Sequence, residues 1–135
     1  MPRNERAVIL LADDDPDDRE LFLIHLRRSG RPIDVVTASD GDEAFARLKD
    51  GKAPRPSLVV ADIEMPRGTG LELLAKVKDD GELAKIPFAL LTSSNSSGNR
   101  KEAARLGADL YLEKPSSVAG YDEVVARLGG LLEEG

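Results

Sequence analysis

Five short apolar runs alternate with longer amphipathic stretches along the chain, and this pattern predicts alternating strands and helices. Three runs, 8–12, 58–61 and 88–91, are continuously apolar, which is typical of parallel strands covered by helices on both faces. Weaker strands are predicted at 33–37 and 110–112. The sequence therefore predicts an α/β fold with a doubly wound, five-stranded parallel sheet.

Helix start and stop signals lie between the predicted strands. The first helix is predicted from a cap at Asp15 to Arg28, with Leu21, Ile24 and the neighbouring Leu residues on its apolar face. Four more are expected from glycine stops and apolar spacing, at about 39–51, 70–78, 99–106 and 121–132. Five helices would then alternate with the five strands.

Polar side chains follow the predicted strands where the strands end. The acidic run 13–15 follows the first strand and Asp62 the third, while Thr92 ends the fourth and Lys114 follows the fifth. Ligands of open parallel sheets bind beyond the carboxyl ends of the strands. Carboxylates packed closely repel and need a cation, and an oxygen-only set without His or Cys suits Mg²⁺, with Mn²⁺ as a substitute.

This combination of groups is suited to phosphoryl transfer, because a metal and the Lys114 ammonium offset charge on the transferred group. Asp is a known covalent phosphoryl acceptor, and no Ser-His or Cys-His pair is evident. Asp62 is the predicted acceptor since it stands alone at the centre of the sheet. The adjacent Asp13 and Asp14 are better suited to holding the metal.

Composition limits the remaining function classes. The chain has 135 residues, 41% hydrophobic and 33% charged, which predicts one globular domain over about 7–132. A net charge of −6 argues against direct nucleic-acid binding, and no apolar run reaches the roughly 18 residues of a membrane span. The chain contains no cysteine, and residues 1–6 lack the apolar core of a signal peptide, so a cytoplasmic location is expected.

Four motifs in combination resemble the receiver domain of two-component response regulators. They are Asp13-Asp14 after an apolar strand, Asp62-Ile63-Glu64-Met65-Pro66 followed by Gly70, Leu91-Thr92-Ser93, and Tyr111-Leu112-Glu113-Lys114-Pro115. The resemblance extends over nearly the whole chain. It implies a flavodoxin-like fold with strand order 2-1-3-4-5.

The resemblance also implies a metal site and a phosphoacceptor. Asp62 would receive a phosphoryl group from the phosphohistidine of a histidine kinase. Asp13, Asp14, Asp62 and the backbone carbonyl of Glu64 would hold Mg²⁺ or Mn²⁺. Lys114 would bind the phosphoryl group, with self-phosphorylation and autodephosphorylation as the only chemistry.

The same resemblance implies a conformational switch. Thr92 would be the switch hydroxyl, and Tyr111 the aromatic residue that turns inward on activation. The Lys114–Pro115 peptide bond would be cis. Glu64 and Ser94 flank the site and are expected to influence hydrolysis of the phosphoryl group.

Within the family, segments 15–18, 49–56 and 79–87 are similar to small stand-alone regulators partnered with bacterial phytochromes. Such relatives often dimerise through C-terminal aromatic residues that this chain lacks, so a homodimer is left open. About 20 residues follow Pro115, which is enough for one helix and no DNA-binding output domain. The expected output is contact with a downstream protein or onward phosphotransfer.

Two other functions are weighed against the switch. In a phosphatase of the haloacid-dehalogenase type, Asp13 would be the nucleophile and Asp15 the general acid, but the chain lacks a cap insertion and a later acidic motif. A pseudo-receiver would bind its partner constitutively. The lone histidine, His25, is expected to be a partly buried or surface residue of the first helix, and Glu113 a solvent-facing one.

Overall fold

One parallel sheet organises the molecule. The computed structural model describes residues 6–51, 54–93 and 96–134. In these residues the strands are ordered β2-β1-β3-β4-β5 and all pairs are parallel. Their bounds are β1 Ala7–Ala12, β2 Ile33–Ala38, β3 Leu58–Ala61, β4 Phe88–Thr92 and β5 Leu110–Glu113. The predicted doubly wound α/β fold and its strand order are confirmed.

Five α-helices alternate with the strands in the part of the chain that the structure describes. They are α1 Pro16–Arg28, α2 Gly41–Lys49, α3 Gly70–Asp79, α4 Ser97–Leu106 and α5 Val118–Glu134. A single 3-10 turn, Leu83–Lys85, precedes β4 and was not predicted. The last helix begins three residues earlier than predicted and continues past Leu132.

Helices cover the sheet on both faces, which explains the continuously apolar strands. In β1, Leu10 packs into a core shared with α2 and α3, whereas Ile9 and Leu11 pack into a second core shared with α1 and α5. All three side chains are buried, and burying a side chain of this size stabilises the fold by about 1.5–3 kcal/mol. Two-sided burial fixes the strand register and so the positions of the strand ends.

Side-chain caps start the helices at the positions that the sequence indicates. The Asp15 side chain accepts a hydrogen bond from the Asp17 backbone N–H at the start of α1. The Asp40 side chain accepts a hydrogen bond from the Glu43 backbone N–H at the start of α2. A cap satisfies backbone donors that have no partner inside the helix. Both predicted helix starts are confirmed.

The predicted buried face of α1 is wrong at Leu21 and Ile24, although the neighbouring Leu26 is buried. Leu21 and Ile24 are 41% and 42% exposed, while Phe22, His25 and Leu26 face the core. The run 21–26 is apolar almost all round, so helical spacing alone could not tell which stripe would be covered. Packing against α5 selects the stripe that carries the large Phe22 side chain.

His25 is buried more deeply than predicted. Its ring stacks on Tyr121 of α5, with centroids 4.8 Å apart and the planes 5° from parallel. Its Nδ1 lies 3.5 Å from a carboxylate oxygen of Asp122. The histidine therefore joins α1 to α5.

The expectation of a cis peptide bond at Lys114–Pro115 is also wrong, because the peptide bonds of the described residues are all trans. The Lys114 backbone N–H donates to the Thr92 carbonyl at 2.9 Å, so this residue continues the pairing of β5 with β4. Strand pairing as far as Lys114 already places this residue at the edge of the sheet.

Among the described helices, none combines the length and apolar character that crossing a membrane would need.

Candidate phosphoacceptor and metal site

The ends of four strands bring the predicted site residues to one edge of the sheet. The backbone N–H of Asp13 donates to the Ala38 carbonyl at 3.0 Å, and that of Asp62 donates to the Ala12 carbonyl at 2.9 Å. These bonds extend the sheet pairing by one residue beyond the strands. Asp13 and Asp62 therefore emerge side by side from β1 and β3.

Three carboxylates gather at this edge. Asp13, Asp14 and Asp62 each offer an oxygen, and the three oxygens lie within 4.8 Å of one another. Asp13 and Asp62 are buried, whereas Asp14 is exposed. An oxygen-only donor set with one side open to solvent fits a hard divalent cation such as Mg²⁺ or Mn²⁺, which keeps bound waters. The residues present therefore fit the predicted metal.

Lys114 extends into the same cluster from the end of β5. Its Nζ lies 2.7 Å from an Asp62 oxygen and 2.9 Å from an Asp13 oxygen. A third carboxylate, Asp18 of α1, lies 2.6 Å from the same Nζ. Asp18 lies in the first turn of α1 and does not follow a strand end, so its contact with Lys114 was not predicted.

Charge in this cluster is unbalanced. Burial disfavours the ammonium form of Lys114, but the hydrogen bonds that it donates to Asp18, Asp62 and Asp13 outweigh this effect, so the pKa of Lys114 is raised above its usual value. Burial raises the pKa of Asp13 above 3.8 despite hydrogen bonds from the Asp15 N–H and from Lys114. One ammonium thus serves several carboxylates, and the cluster holds excess negative charge.

Close backbone packing fixes the loop that carries Asp62. A Cβ at Gly70 would overlap the carbonyl oxygen of Asp62, so only glycine fits there. The Gly70 N–H donates to the Ile63 carbonyl at 3.0 Å, and the Glu64 N–H donates to an Asp62 carboxylate oxygen at 3.3 Å. The predicted Gly70 motif thus has a packing reason.

The far end of this loop rests on the start of α2. The Gly41 and Asp42 N–H groups donate to the carbonyls of Gly68 and Arg67, each at 3.0 Å. Arg67 has a φ of 47°, a backbone conformation that residues other than glycine rarely adopt. Its guanidinium lies 3.2 Å from the carboxylate of the buried Asp40. The capping residue of α2 therefore also holds the loop.

Thr92 and Tyr111 lie on the neighbouring strands β4 and β5. Thr92 is completely buried at the end of β4. Tyr111 is paired in register with Leu90 and is half-buried, and the Arg100 guanidinium of α4 lies 4.5 Å from its ring centroid. This is cation–π geometry. Glu113 is exposed, as predicted, and Ser94 lies outside the described residues.

The parallel sheet with its acidic edge and its lysine is the arrangement that the four sequence motifs predicted for a receiver domain. The family model described as "Response regulator receiver domain" matches residues 9–126. The chain belongs to this family.

Two relatives show where the chain lies within the family. Response regulator Rcp1 of Synechocystis is 31% identical over 126 residues, which cover 90% of this chain and 86% of Rcp1. The transcriptional regulatory protein PhoP of Bacillus subtilis is 35% identical, over 92% of this chain and 48% of PhoP. The chain spans about half the length of most curated relatives it matches.

Solved structures agree with this placement. The phosphorylated cyanobacterial phytochrome response regulator RcpA matches with a TM-score of 0.86 at 28% identity, over 96% of this chain and 95% of RcpA. The Mn²⁺-bound form of Rcp1 matches with a TM-score of 0.83 at 28% identity, over 92% of each chain. The resemblance stated from the motifs, including its phytochrome-regulator branch, is confirmed.

Proposed function

We propose that the protein is a single-domain response regulator, spanning about residues 7–132, that accepts a phosphoryl group on Asp62 from a histidine kinase. The observation that carries this proposal is the convergence of Asp13, Asp62 and Lys114 at the carboxyl edge of a receiver-family sheet. Asp62 lies at the end of the central strand, and one of its oxygens lies 2.7 Å from the Lys114 ammonium.

In the proposed step, an Asp62 carboxylate oxygen attacks the phosphorus of the kinase phosphohistidine. The new O–P bond forms as the N–P bond breaks, and the imidazole keeps the electron pair and takes a proton from solvent. Lys114 is placed to donate hydrogen bonds to the transferred phosphoryl oxygens. Hydrolysis of the acyl phosphate by water later restores the carboxylate.

Asp13, Asp14, Asp62 and the Glu64 backbone carbonyl would hold Mg²⁺ or Mn²⁺. When bound, the cation offsets negative charge on the phosphoryl group during transfer. The pair Asp13-Asp14 offers carboxylates from the end of β1, beside the acceptor. The excess negative charge of the cluster supports this assignment, because a divalent cation would neutralise it.

The proposed switch uses Thr92 and Tyr111. The Thr92 hydroxyl would donate to a phosphoryl oxygen, and Tyr111 would move into the space that Thr92 leaves. A complete shift from 1:99 to 99:1 requires the phosphoryl group to favour the active state by about 5.5 kcal/mol. Thr92→Ala should uncouple phosphorylation from partner binding, and equal partner affinity of the phosphorylated variant and parent would contradict this.

The kinase partner is proposed to be a phytochrome, since the cyanobacterial phytochrome response regulator RcpA matches this chain with a TM-score of 0.86. The output is proposed to be contact with a downstream protein or onward phosphotransfer, in the cytoplasm and without direct nucleic-acid binding. A phosphatase of the haloacid-dehalogenase type is less well supported. Its general acid would be Asp15, whose side chain instead caps α1.

Incubation with acetyl phosphate and Mg²⁺, followed by intact mass measurement, tests the proposed acceptor. The parent should gain one phosphoryl group, and Asp62→Asn should gain none. Asp17→Asn, an exposed aspartate of α1 outside the cluster, is the matched control and should be labelled like the parent. Equal labelling of Asp62→Asn and the parent would place the acceptor elsewhere.

A further inference from the structure

Asp18 makes the shortest of the three ionic contacts of Lys114. Its carboxylate lies 2.6 Å from the Lys114 Nζ, although the two residues are 96 positions apart in the chain. The Lys114 side chain is only 10% exposed and that of Asp18 is 28% exposed. This contact therefore lies at the border between the buried cluster and solvent.

The three donors of Lys114 match its three carboxylate contacts. An ammonium has three N–H groups and no acceptor, so Asp13, Asp18 and Asp62 can use all of them. Asp18 is not among the three carboxylates that gather within reach of one cation. The proposed metal would bind Asp13 and Asp62, and phosphorylation would modify Asp62. Of the three carboxylates, Asp18 alone would then keep its contact with Lys114 unchanged.

Asp18 also belongs to a rigid support. It lies in the first turn of α1, which is capped by Asp15. In the next position, the Arg19 guanidinium donates to the Asp13 backbone carbonyl at 2.6 Å. A lysine side chain has four rotatable bonds and loses conformational entropy when it is held in one conformation. A carboxylate on a fixed helix can hold this side chain while its other contacts change.

We propose that Asp18 is a positioning residue, which holds the Lys114 ammonium in place while its remaining N–H groups pass from Asp13 and Asp62 to the phosphoryl oxygens. This inference rests on the proposed function of Asp62. Without Asp18, Lys114 would have to reach the phosphoryl group from a wider range of conformations. Transfer to Asp62 would slow even at saturating metal concentration.

The test compares Asp18→Ala with Asp17→Ala. Both variants lose one carboxylate from the first turn of α1, so they share the change in helix-end electrostatics and net charge. At saturating Mg²⁺, Asp18→Ala should be phosphorylated by acetyl phosphate about 10-fold more slowly than the parent, as expected for one lost charge-assisted hydrogen bond. Asp17→Ala should stay close to the parent rate.

A double-mutant cycle with Lys114→Met separates positioning from a general structural effect. If Asp18 acts through Lys114, then Asp18→Ala should slow the reaction no further once the ammonium is gone. Equal slowing in the two backgrounds would overturn the proposal. So would an unchanged or faster rate in Asp18→Ala alone, since removing a carboxylate that only repels the anionic donor would speed the reaction.

A binding measurement gives a readout that does not depend on turnover. Beryllofluoride with Mg²⁺ mimics the phosphoryl group, and ¹⁹F NMR titration should show about 10-fold weaker binding to Asp18→Ala than to Asp17→Ala. Unchanged binding would overturn the proposal. If Asp18→Ala does not fold, Asp18→Asn is used for the same comparisons. A parent that takes up no phosphoryl group would overturn the proposed function of Asp62 and, with it, the role of Asp18. A parent that is phosphorylated, beside an Asp18→Ala variant with an unchanged rate, would overturn the role of Asp18 alone.

Discussion

Two aspartates of this protein have similar partners but opposite electrostatics. Asp80, after α3, accepts hydrogen bonds from the backbone N–H groups of Leu83 and Glu82 at 3.0 Å each, and Lys49 lies 2.9 Å away. These hydrogen bonds, with Leu83 as the strongest contributor, lower the pKa of Asp80 to about 2. Asp13 also has a backbone N–H donor and a lysine, yet burial raises its pKa.

The difference lies in burial and in how the lysine is shared. The Lys49 side chain is 55% exposed and contacts Asp80, whereas the Lys114 side chain is 10% exposed and contacts three carboxylates. Asp80 is therefore fully compensated as an anion and stabilises the fold. Asp13 is less well compensated as an anion, because burial opposes its charge and because it shares Lys114 with Asp18 and Asp62.

Removal of Lys114 should have the largest effect on stability. Lys114→Met leaves Asp13 and Asp62 buried without their ammonium, and breaking a buried pair in this way costs about 3 kcal/mol. Urea unfolding in the presence of a chelator measures this loss, with Lys49→Met as the control at the other aspartate. A loss no greater than that of Lys49→Met would contradict the contrast between the two sites.

Metal should restore much of the missing compensation. At a Mg²⁺ concentration 100 times its Kd, the parent should gain about 2.7 kcal/mol of unfolding free energy. Asp14→Asn removes one repelling carboxylate, so it should be at least as stable as the parent without metal and gain much less from Mg²⁺. Thermal melts with and without Mg²⁺ check this, and Asp17→Asn should respond like the parent.

The loop that presents Asp62 should tolerate no side chain at Gly70. Gly70→Ala forces a Cβ against the Asp62 carbonyl and should destabilise the protein by about 2 kcal/mol. It should also weaken Mg²⁺ binding measured by calorimetry, because Asp62 moves. Gly81→Ala, beside Asp80 and with open space around the new Cβ, is the control. Unaltered Mg²⁺ affinity in Gly70→Ala would show that the loop geometry is not needed.

The smallest effect is expected at Asp80. Its folded pKa of about 2 lies below the ordinary 3.8, so its contribution is present above about pH 4 and is lost as the pH falls through about 2. Asp80→Asn should therefore lower stability slightly at neutral pH and flatten the acid dependence in that window. Urea unfolding across this range checks it against Asp79→Asn. An acid dependence identical to that of the parent would contradict the lowered pKa.

Strand ends were the part of the site that the sequence could predict. Continuous apolar runs locate buried parallel strands, and the residues after them, such as Asp62 and Lys114, must meet at one sheet edge. Asp18 could not be predicted as a contact of Lys114, because that contact depends on how α1 lies against β5. The exposed Leu21 and Ile24 were misassigned for a similar reason, since helical spacing does not say which apolar stripe will be covered.

Locating the phosphoryl group along the chain distinguishes Asp62 from the other aspartates of the cluster. After treatment with acetyl phosphate and Mg²⁺, borohydride reduction converts an aspartyl phosphate into homoserine, which peptide mass spectrometry can locate. We predict homoserine at residue 62 of the parent and unchanged aspartate at residues 13, 14 and 18. Homoserine at any of those three positions, with residue 62 unchanged, would contradict the account.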